Sequence, residues 1–244
     1  DNAVMSVDIN SKLPHVGTTI FTVMSALAAE HGAINLSQGF PDYDGPAALR
    51  ERVKHYLDKG FNQYPPMAGI LPLREAVAAK LADCYGAEVS PDTEVTITPG
   101  ATEAIYCAVT AVCRPGDEVI INDLEFPAGA TPWLQQGSPA TVKVWRHRDG
   151  FLHLEDLVPL LHSKTRFINV SLVSFLNGFR IHTPSLVEVV RKHSNALIGL
   201  DVTQALGRIP LDLRGVDLIV SSTHKWILAS HGGGLVGVPA SKNT

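Results

Sequence analysis

The sequence predicts an α/β protein in which helices cover both faces of a mostly parallel, seven-stranded sheet. Helical patterns such as "ATEAIYCAVTAVC" and "PSLVEVVRKHS" separate several short runs that are rich in β-branched residues. Those runs are apolar almost throughout, which is typical of strands buried on both faces and favours a three-layer α/β/α sandwich. The predicted strands are "EVTIT", "DEVIIN", "TVKVWR", "RFINVSLV", "ALIGLDV", "DLIVSS" and "GLVGV".

The chain before the first predicted strand mixes helical patterns with irregular stretches. An amphipathic pattern, "TIFTVMSALAAEHG", is followed by the Pro/Gly-containing stretch "NLSQGFPDYDGP". Two further helical patterns, "AALRERVKHYLDKG" and "LPLREAVAAKLADCYG", lie on either side of "FNQYPPMAGI". We expect an N-terminal segment over residues 1–45 and one large domain over residues 46–244.

Composition excludes several classes of function. The chain has 244 residues, 45% of them apolar and 18% charged, which suits a globular protein with a sizeable core. The net charge of -4 and the lack of a basic run argue against nucleic-acid binding. No apolar run is long enough for a membrane span, and the polar N-terminus lacks the apolar core of a signal peptide. Three cysteines without CxxC spacing, all in helical patterns, indicate buried free thiols and a cytoplasmic protein, and we expect no metal site.

Residues that follow the strands are the candidate site, because ligands of such sheets bind beyond the carboxyl ends of the strands. Gly100, Ala101 and Thr102 open a helix after "EVTIT". The free N–H groups and positive dipole end of a helix start suit a phosphate, although a plain strand-to-helix turn is an equal alternative. Phe126, after "DEVIIN", is either a core aromatic or a platform for a flat ring.

Two more strand ends carry polar groups. Asp201 ends "ALIGLD", where a buried carboxylate needs a donor or a cation, and Gln204 follows one turn later. After "DLIVS", Ser222 and His224 could donate to an anion. Lys225 is either a solvated surface residue or a partly desolvated amine that can act as a nucleophile. A phosphate cradle, an aromatic plate, a buried acid and a lysine are together the parts that a pyridoxal 5'-phosphate site requires.

With these motifs the chain resembles the fold-type-I pyridoxal-phosphate enzymes of the aspartate aminotransferase superfamily, in two parts. Residues from about 11 to 124 are similar to class I aminotransferases of the methionine and kynurenine group. The motifs are "SKLPHVGTTIFTVMSALAAEHGAINLSQGFPDYDGP", "NQYPPMAGILPLREAVA", "TPGATEAIY" and "RPGDEVI". Residues from about 125 to 244 resemble class V enzymes, similar to cysteine desulfurases, kynureninases and isopenicillin N epimerase. The motifs there are "EFPAGATPWL", "SLVSFLNGFRIHTPSLVEVVRKHS", "DVTQALGRIPLDL" and "GVDLIVSSTHKWILASHGGG".

The resemblance implies a role for each candidate at the cofactor ring. Lys225 matches the lysine that forms a Schiff base with the cofactor, and Asp201 matches the acid at the pyridine nitrogen. Phe126 matches the aromatic residue that stacks on the ring. Gln204 matches the class V residue beside the phenolic oxygen.

Other matches concern the phosphate. Gly100, Ala101 and Thr102 match the phosphate loop, and Ser222 and His224 match class V phosphate contacts.

Further matches concern the substrate and a neighbouring subunit. Gly39 matches the class I backbone contact to the substrate carboxylate. Tyr64 matches the class I tyrosine that reaches the phosphate of the neighbouring subunit, which implies a homodimer. The class I "NPxNPTG" motif is replaced by "SFLNGFR", which leaves Ser174 or Asn177 as candidates for a cofactor contact.

The resemblance favours an aminotransferase that moves the amino group of a neutral amino acid to a 2-oxo acid. Lys225 would hold the cofactor and carry the proton, while Asp201 keeps the ring nitrogen protonated. A class V lyase or epimerase is the alternative, but the cysteines lie on helices of the class I part, which disfavours desulfuration. The resemblance implies a C-terminal small domain that carries the arginine for the substrate carboxylate, and we expect that domain to be missing or truncated here. We therefore keep a third alternative, an inactive cofactor-binding fragment, truncated form or recombined sequence.

Overall fold

A computed structural model describes residues 17–37, 43–134, 138, 140–229 and 231–238. The chain divides into two compact units, Asp1–Tyr64 and Pro65–Thr244. The division into residues 1–45 and 46–244 that the sequence suggests stays a prediction.

The described part of the first unit contains two helices. Helix α1 spans Ile20–Glu30 and begins after Thr19, whose hydroxyl accepts a hydrogen bond from the backbone N–H of Thr22 at 3.3 Å. Such a side-chain cap satisfies one of the free donors at a helix start. Helix α2 spans Ala47–Asp58 and follows Pro46. Both helices agree with the amphipathic patterns in the sequence.

The second unit contains one seven-stranded sheet with the strand order β1-β7-β6-β5-β4-β2-β3. β7 is antiparallel to its two neighbours, β1 and β6, and every other pairing in the sheet is parallel. The predicted fold class is confirmed, and each strand lies on the run predicted for it. The strands are β1 (Val95–Thr98), β2 (Glu118–Asn122), β3 (Thr141–Trp145), β4 (Thr165–Ser171), β5 (Leu197–Asp201), β6 (Leu218–Ser222) and β7 (Gly234–Gly237).

Helices cover the sheet on both faces. Neighbouring residues of β2 point into opposite apolar clusters, with Ile120 in one and Val119 and Ile121 in the other. The first cluster also holds Ile198 of β5, and the second holds Phe167 of β4. The helices of this unit are α3 (Leu71–Tyr85), α4 (Gly100–Val112), α5 (Pro127–Leu134), α6 (Leu154–Leu157) and α7 (Thr183–His193), and a 3₁₀ turn spans Val158–Leu160.

Helix α5 is an element that the sequence does not predict. It begins at Pro127, a position where proline is compatible with a helix, but it also contains Pro132, which is a local signal against one. Its Gly129 is buried, and a Cβ there would lie 2.6 Å from Asn169 Nδ2 and 2.8 Å from Glu125 Cγ. Glycine therefore allows α5 to pack tightly against the ends of β2 and β4.

The cysteines and the helix lengths test two further expectations. All three cysteines are free, but Cys84 and Cys107 are exposed and Cys113 is only partly buried. The prediction of buried thiols is therefore wrong for the first two, because they lie on the outward sides of α3 and α4. Among the residues that the structure describes, no helix combines the length and the apolar character needed to cross a membrane.

Candidate active site

The sheet brings together strand ends that are far apart in the chain. Gly234 of β7 pairs with Thr98 of β1 on one side and with Ser222 of β6 on the other. The start of α4 and the end of β6 therefore meet, and the backbone N–H of Ala101 lies 3.4 Å from the Ser222 hydroxyl oxygen. Along the same edge, Ser171 at the end of β4 pairs with Asp201 at the end of β5.

The start of α4 has the properties of an anion cradle. Gly100 has a φ of +85°, which L side chains rarely adopt, and Pro99 provides no side-chain cap to the helix. A Cβ on Gly234 would lie 2.3 Å from the carbonyl carbon of Gly100, so only glycine permits this approach. First-turn N–H groups and the Ser222 hydroxyl thus lie together, with the exposed Thr102 beside them.

Asp201 is buried, with 6% of its surface exposed. Its Oδ1 accepts a hydrogen bond from the backbone N–H of Thr203 at 2.8 Å, and burial raises its pKa. The Thr203 hydroxyl accepts a hydrogen bond from the backbone N–H of Ser222 at 3.0 Å, so Thr203 links the predicted acid to the predicted phosphate contact. Sequence reasoning missed Thr203, although it lies within "DVTQALG".

Glu125 is a second buried carboxyl group, which sequence reasoning also missed. Its two oxygens accept hydrogen bonds from the backbone N–H of Phe126 at 3.1 Å and of Ser171 at 2.9 Å. The Ser171 hydroxyl and, at 3.1 Å, the Asn122 amide donate to it as well. Burial and then the charge of Asp201 raise the pKa of Glu125 to about 7, against the effect of these donors. The available signal was an acid directly before the aromatic residue in "LEFP".

Phe126 is 40% exposed and so does not belong to the core. Its ring meets Phe175 edge to face, with the centroids 5.1 Å apart. Such a contact fixes the orientation of an aromatic ring. Phe126 is thereby held near the carboxyl edge with part of its surface accessible, as a stacking platform requires.

Lys225 and His224 follow β6 at the same edge. Lys225 is exposed, so of the two alternatives that the sequence left open the structure agrees with the solvated lysine. The rings of His224 and His231 are stacked, with centroids 4.2 Å apart and 21° between the planes. Burial lowers the pKa of His224, and the neighbouring His231 and Lys225 lower it further, which favours the neutral imidazole. Sequence reasoning did not single out His231.

Gln204 is partly buried beyond the end of β5. Its Oε1 accepts a hydrogen bond from the indole Nε1 of Trp226, the residue after Lys225, at 3.2 Å. This hydrogen bond joins the loop after β5 to the loop after β6, which carries Lys225.

The other predicted site residues are not brought to this edge by any described contact. Gly39 lies outside the described residues, and Tyr64 is fully exposed and belongs to the first unit. Ser174 is buried, where its hydroxyl donates to the Leu124 carbonyl at 3.2 Å. Asn177 donates to the Gly150 carbonyl at 2.8 Å. The last two side chains hold loops together, and their proposed cofactor contacts stay predictions.

The described residues fit pyridoxal phosphate. The start of α4 has no side-chain cap and is packed closely by Gly234, so its N–H groups suit a phosphate. The buried carboxylate of Asp201 suits a ring N–H. An accessible aromatic residue and an accessible lysine complete the set.

Fold and site together define the large domain of a fold-type-I pyridoxal-phosphate enzyme. A family model described as Aminotransferase class-V matches residues 70–242, and the chain belongs to that family. The match begins before residue 125, where the class V resemblance was expected to start. The chain is also 46% identical, over 158 residues, to a methionine aminotransferase of Escherichia coli K12. The matched stretch covers 65% of this chain and 41% of that relative.

Other relatives are also named aminotransferases. A probable N-succinyldiaminopimelate aminotransferase of Mycobacterium tuberculosis is 36% identical over 188 residues, which are 77% of this chain and 41% of that protein. A crystal structure from Escherichia coli, for which a methionine aminotransferase function was identified, superposes with a TM-score of 0.83 at 32% identity. That superposition covers 97% of this chain and 65% of the solved one. The chain thus spans about two fifths of the curated relatives' length, and their names do not favour the lyase or epimerase alternative.

Proposed function

We propose that this chain is the cofactor-binding part of a pyridoxal-phosphate-dependent aminotransferase that acts on a neutral amino acid and a 2-oxo acid. The observation that carries the proposal is the single edge of the sheet that holds Asp201, Phe126, Lys225 and the anion cradle. Membership of the class V family and the aminotransferase relatives support it. A homodimer in the cytoplasm, with Tyr64 reaching the partner, belongs to the same proposal.

Each residue would hold one part of the cofactor. Lys225 would bind it through Nζ, and Phe126 would stack on its ring. The start of α4, Ser222 and the neutral imidazole of His224 would donate to the phosphate. When bound, pyridoxal phosphate supplies an electron sink that stabilises negative charge at the Cα of an amino acid.

The carboxylate of Asp201 would pair with the protonated ring nitrogen of the cofactor. Burial disfavours its charge, and a cationic N–H placed against it reverses this preference. Asp201 therefore would hold a proton on the nitrogen that faces it. Its Oδ1 is already oriented by Thr203, so little rearrangement is needed.

Lys225 would also move the proton of the reaction. When an amino acid rather than Lys225 is bonded to the cofactor, the amine Nζ of Lys225 would be free to take the proton from Cα of the amino acid. The same amine would then deliver that proton to the cofactor carbon to which the lysine had been bonded. The exposed position of Lys225 at the strand end leaves its side chain room for both tasks.

Gly39 would contact the substrate carboxylate, as the resemblance implies.

The visible absorbance of the purified chain mixed with pyridoxal phosphate tests the proposal. We expect a band that shifts when methionine or another neutral amino acid is added, and that Lys225→Ala abolishes. Lys192→Ala, which removes an exposed lysine from α7, is the matched control and should leave the band unchanged. A band that persists unaltered in Lys225→Ala would rule out the role given to this lysine. Amino transfer that depends on an added 2-oxo acid, rather than racemisation or elimination, then distinguishes the reaction class.

A further inference from the structure

Trp226 and Gln204 form a contact that the proposed reaction does not use. The indole Nε1 of Trp226 donates to Gln204 Oε1 across 3.2 Å, and the two residues follow different strands. An indole N–H can only donate, so the atom of the amide that faces it has to be the oxygen. This contact therefore fixes which way round the amide lies, a choice that is otherwise ambiguous for glutamine.

Trp226 is itself held from two directions. The guanidinium carbon of Arg208 lies 4.3 Å from the centroid of the Trp226 ring, a cation–π arrangement. The backbone of Trp226 packs on Gly207, where a Cβ would lie 2.6 Å from the Trp226 carbonyl oxygen. The N–H of Gly207 in turn donates to the Tyr85 hydroxyl at 2.6 Å. The backbone of Trp226 is therefore held by packing on Gly207, and its ring, which is 42% exposed, is contacted by Arg208.

The amide nitrogen of Gln204 is left for another partner. In the part of the chain that the structure describes, no protein acceptor lies within hydrogen-bond distance of Nε2. Because Oε1 is occupied, this NH₂ group is the polar end that Gln204 presents away from Trp226. Asp201 lies three residues before Gln204, and Lys225 directly precedes Trp226, so the hydrogen bond joins the two loops that carry the predicted acid and the predicted lysine.

We propose that Trp226 is a positioning residue, which orients the Gln204 amide so that its NH₂ group donates to the phenolic oxygen of the bound cofactor. The inference rests on the proposed function, because it needs pyridoxal phosphate in the site. Without the indole N–H the amide can present its oxygen to the phenolic oxygen, where two acceptors repel. We expect Trp226→Phe to weaken binding of pyridoxal phosphate about fivefold, the value of one ordinary hydrogen bond.

The first arm of the test uses the cofactor-free chain and indole ¹⁵N–¹H resonances. Gln204→Ala should shift the Trp226 indole resonance and speed its exchange with solvent. The Trp145 indole, which donates to the His153 carbonyl at 3.1 Å, is the internal control and should not change. An unaltered Trp226 resonance would overturn the inference, whatever the cofactor does.

The second arm compares pyridoxal phosphate with 3-deoxypyridoxal phosphate, which lacks the phenolic oxygen. Trp226→Phe should weaken binding of the first compound and leave the second unchanged. Gln204→Glu keeps an acceptor for the indole but removes the donor, so it should preserve the Trp226 resonance and still weaken binding of the first. Equal losses for both compounds would mean a merely structural role and overturn the inference. If the wild type binds neither compound, the proposed function itself fails, while the resonance arm still reports on the contact.

Discussion

Carboxylates at the amino ends of the strands (the amino edge) and at their carboxyl ends (the carboxyl edge) differ in whether a protein cation pairs with them. At the amino edge, Asp217 pairs with Arg191 at 2.5 Å and accepts the N–H of Ile198 at 2.8 Å. Glu118, which is only partly buried, lies 2.7 Å from Lys143 and 2.6 Å from His162. At the carboxyl edge, the described residues give neither Asp201 nor Glu125 an ion pair, although both are buried.

The difference separates structural from functional charge. A buried carboxylate with a protein cation holds neighbouring elements together, while a buried carboxylate without one costs folding free energy until a ligand cation arrives. The paired carboxylates at the amino edge therefore stabilise the fold. The unpaired carboxylates at the carboxyl edge destabilise the ligand-free fold and favour binding of a cationic ligand group. Substitutions at the two edges should change stability with opposite signs, and the next four measurements test this, from the largest expected effect to the smallest.

Asp217→Ala should lower the free energy of unfolding by about 4 kcal/mol, because it removes the anion paired with Arg191 and leaves the buried N–H of Ile198 without its acceptor. Urea unfolding measures the effect. Uptake of pyridoxal phosphate by the remaining folded protein should match the wild type. A loss below about 1 kcal/mol would show that the amino edge does not depend on this pair.

Glu125→Gln should change how stability depends on pH. The ordinary pKa of a glutamate is 4.5, and in the folded chain the pKa of Glu125 is raised to about 7. The folded state therefore holds the extra proton between these values, and wild-type stability falls as pH rises through them, by about 3 kcal/mol in all. Relative to Glu125→Gln, the wild type should lose that much between about pH 4.5 and 7 in urea unfolding.

The matched control for this measurement is Glu118→Gln at the amino edge. Lys143 and His162 lower the pKa of Glu118, so the stability that this carboxylate contributes is lost as pH falls below its ordinary value of 4.5. Parallel stability curves for the wild type and Glu125→Gln would contradict the raised pKa of Glu125.

Asp201→Asn should raise the stability of the cofactor-free chain by about 1 to 2 kcal/mol at neutral pH, because an amide avoids the cost of a buried charge. The amide oxygen can still accept the hydrogen bond from Thr203. The same change should weaken pyridoxal phosphate binding, measured by absorbance titration. A destabilised variant would place Asp201 with the structural carboxylates instead.

His162→Gln should have the smallest effect, a loss of about 0.5 kcal/mol, because Glu118 keeps its contact with Lys143 and both the Lys143 and His162 side chains are partly exposed. Thermal unfolding is sensitive enough to detect it. A loss as large as that of Asp217→Ala would mean that His162 has a separate structural task.

The sequence was informative where a pattern is local. All strands follow from β-branched apolar runs, and the edge that holds Gly100, Asp201 and Ser222 follows from their positions after those strands. Helix α5 was missed because Pro132 within it is a strong local signal against a helix, and tertiary packing overrides that signal. The family resemblance, rather than spacing, supplied the individual roles.

Properties that depend on distant contacts could not be predicted. Glu125 was overlooked since its donors come partly from Ser171, which lies on another strand. The bond between Trp226 and Gln204 depends on how two loops approach each other. The position of Lys225 after a strand left open whether its amine is solvated or partly desolvated, because exposure depends on what packs around a side chain, and the described residues leave it exposed.

The antiparallel strand β7 also has a consequence for the order of assembly. Among the residues that the structure describes, β1 pairs only with β7, which follows the other six strands in the chain although it lies next to the first. During synthesis, β1 and its following loop emerge long before the strand that docks them, so the anion cradle is completed late. Pairings between such distant segments slow folding. A ribosome-bound chain that ends before Gly234 should therefore be unable to hold the phosphate group, however well its other strands have formed.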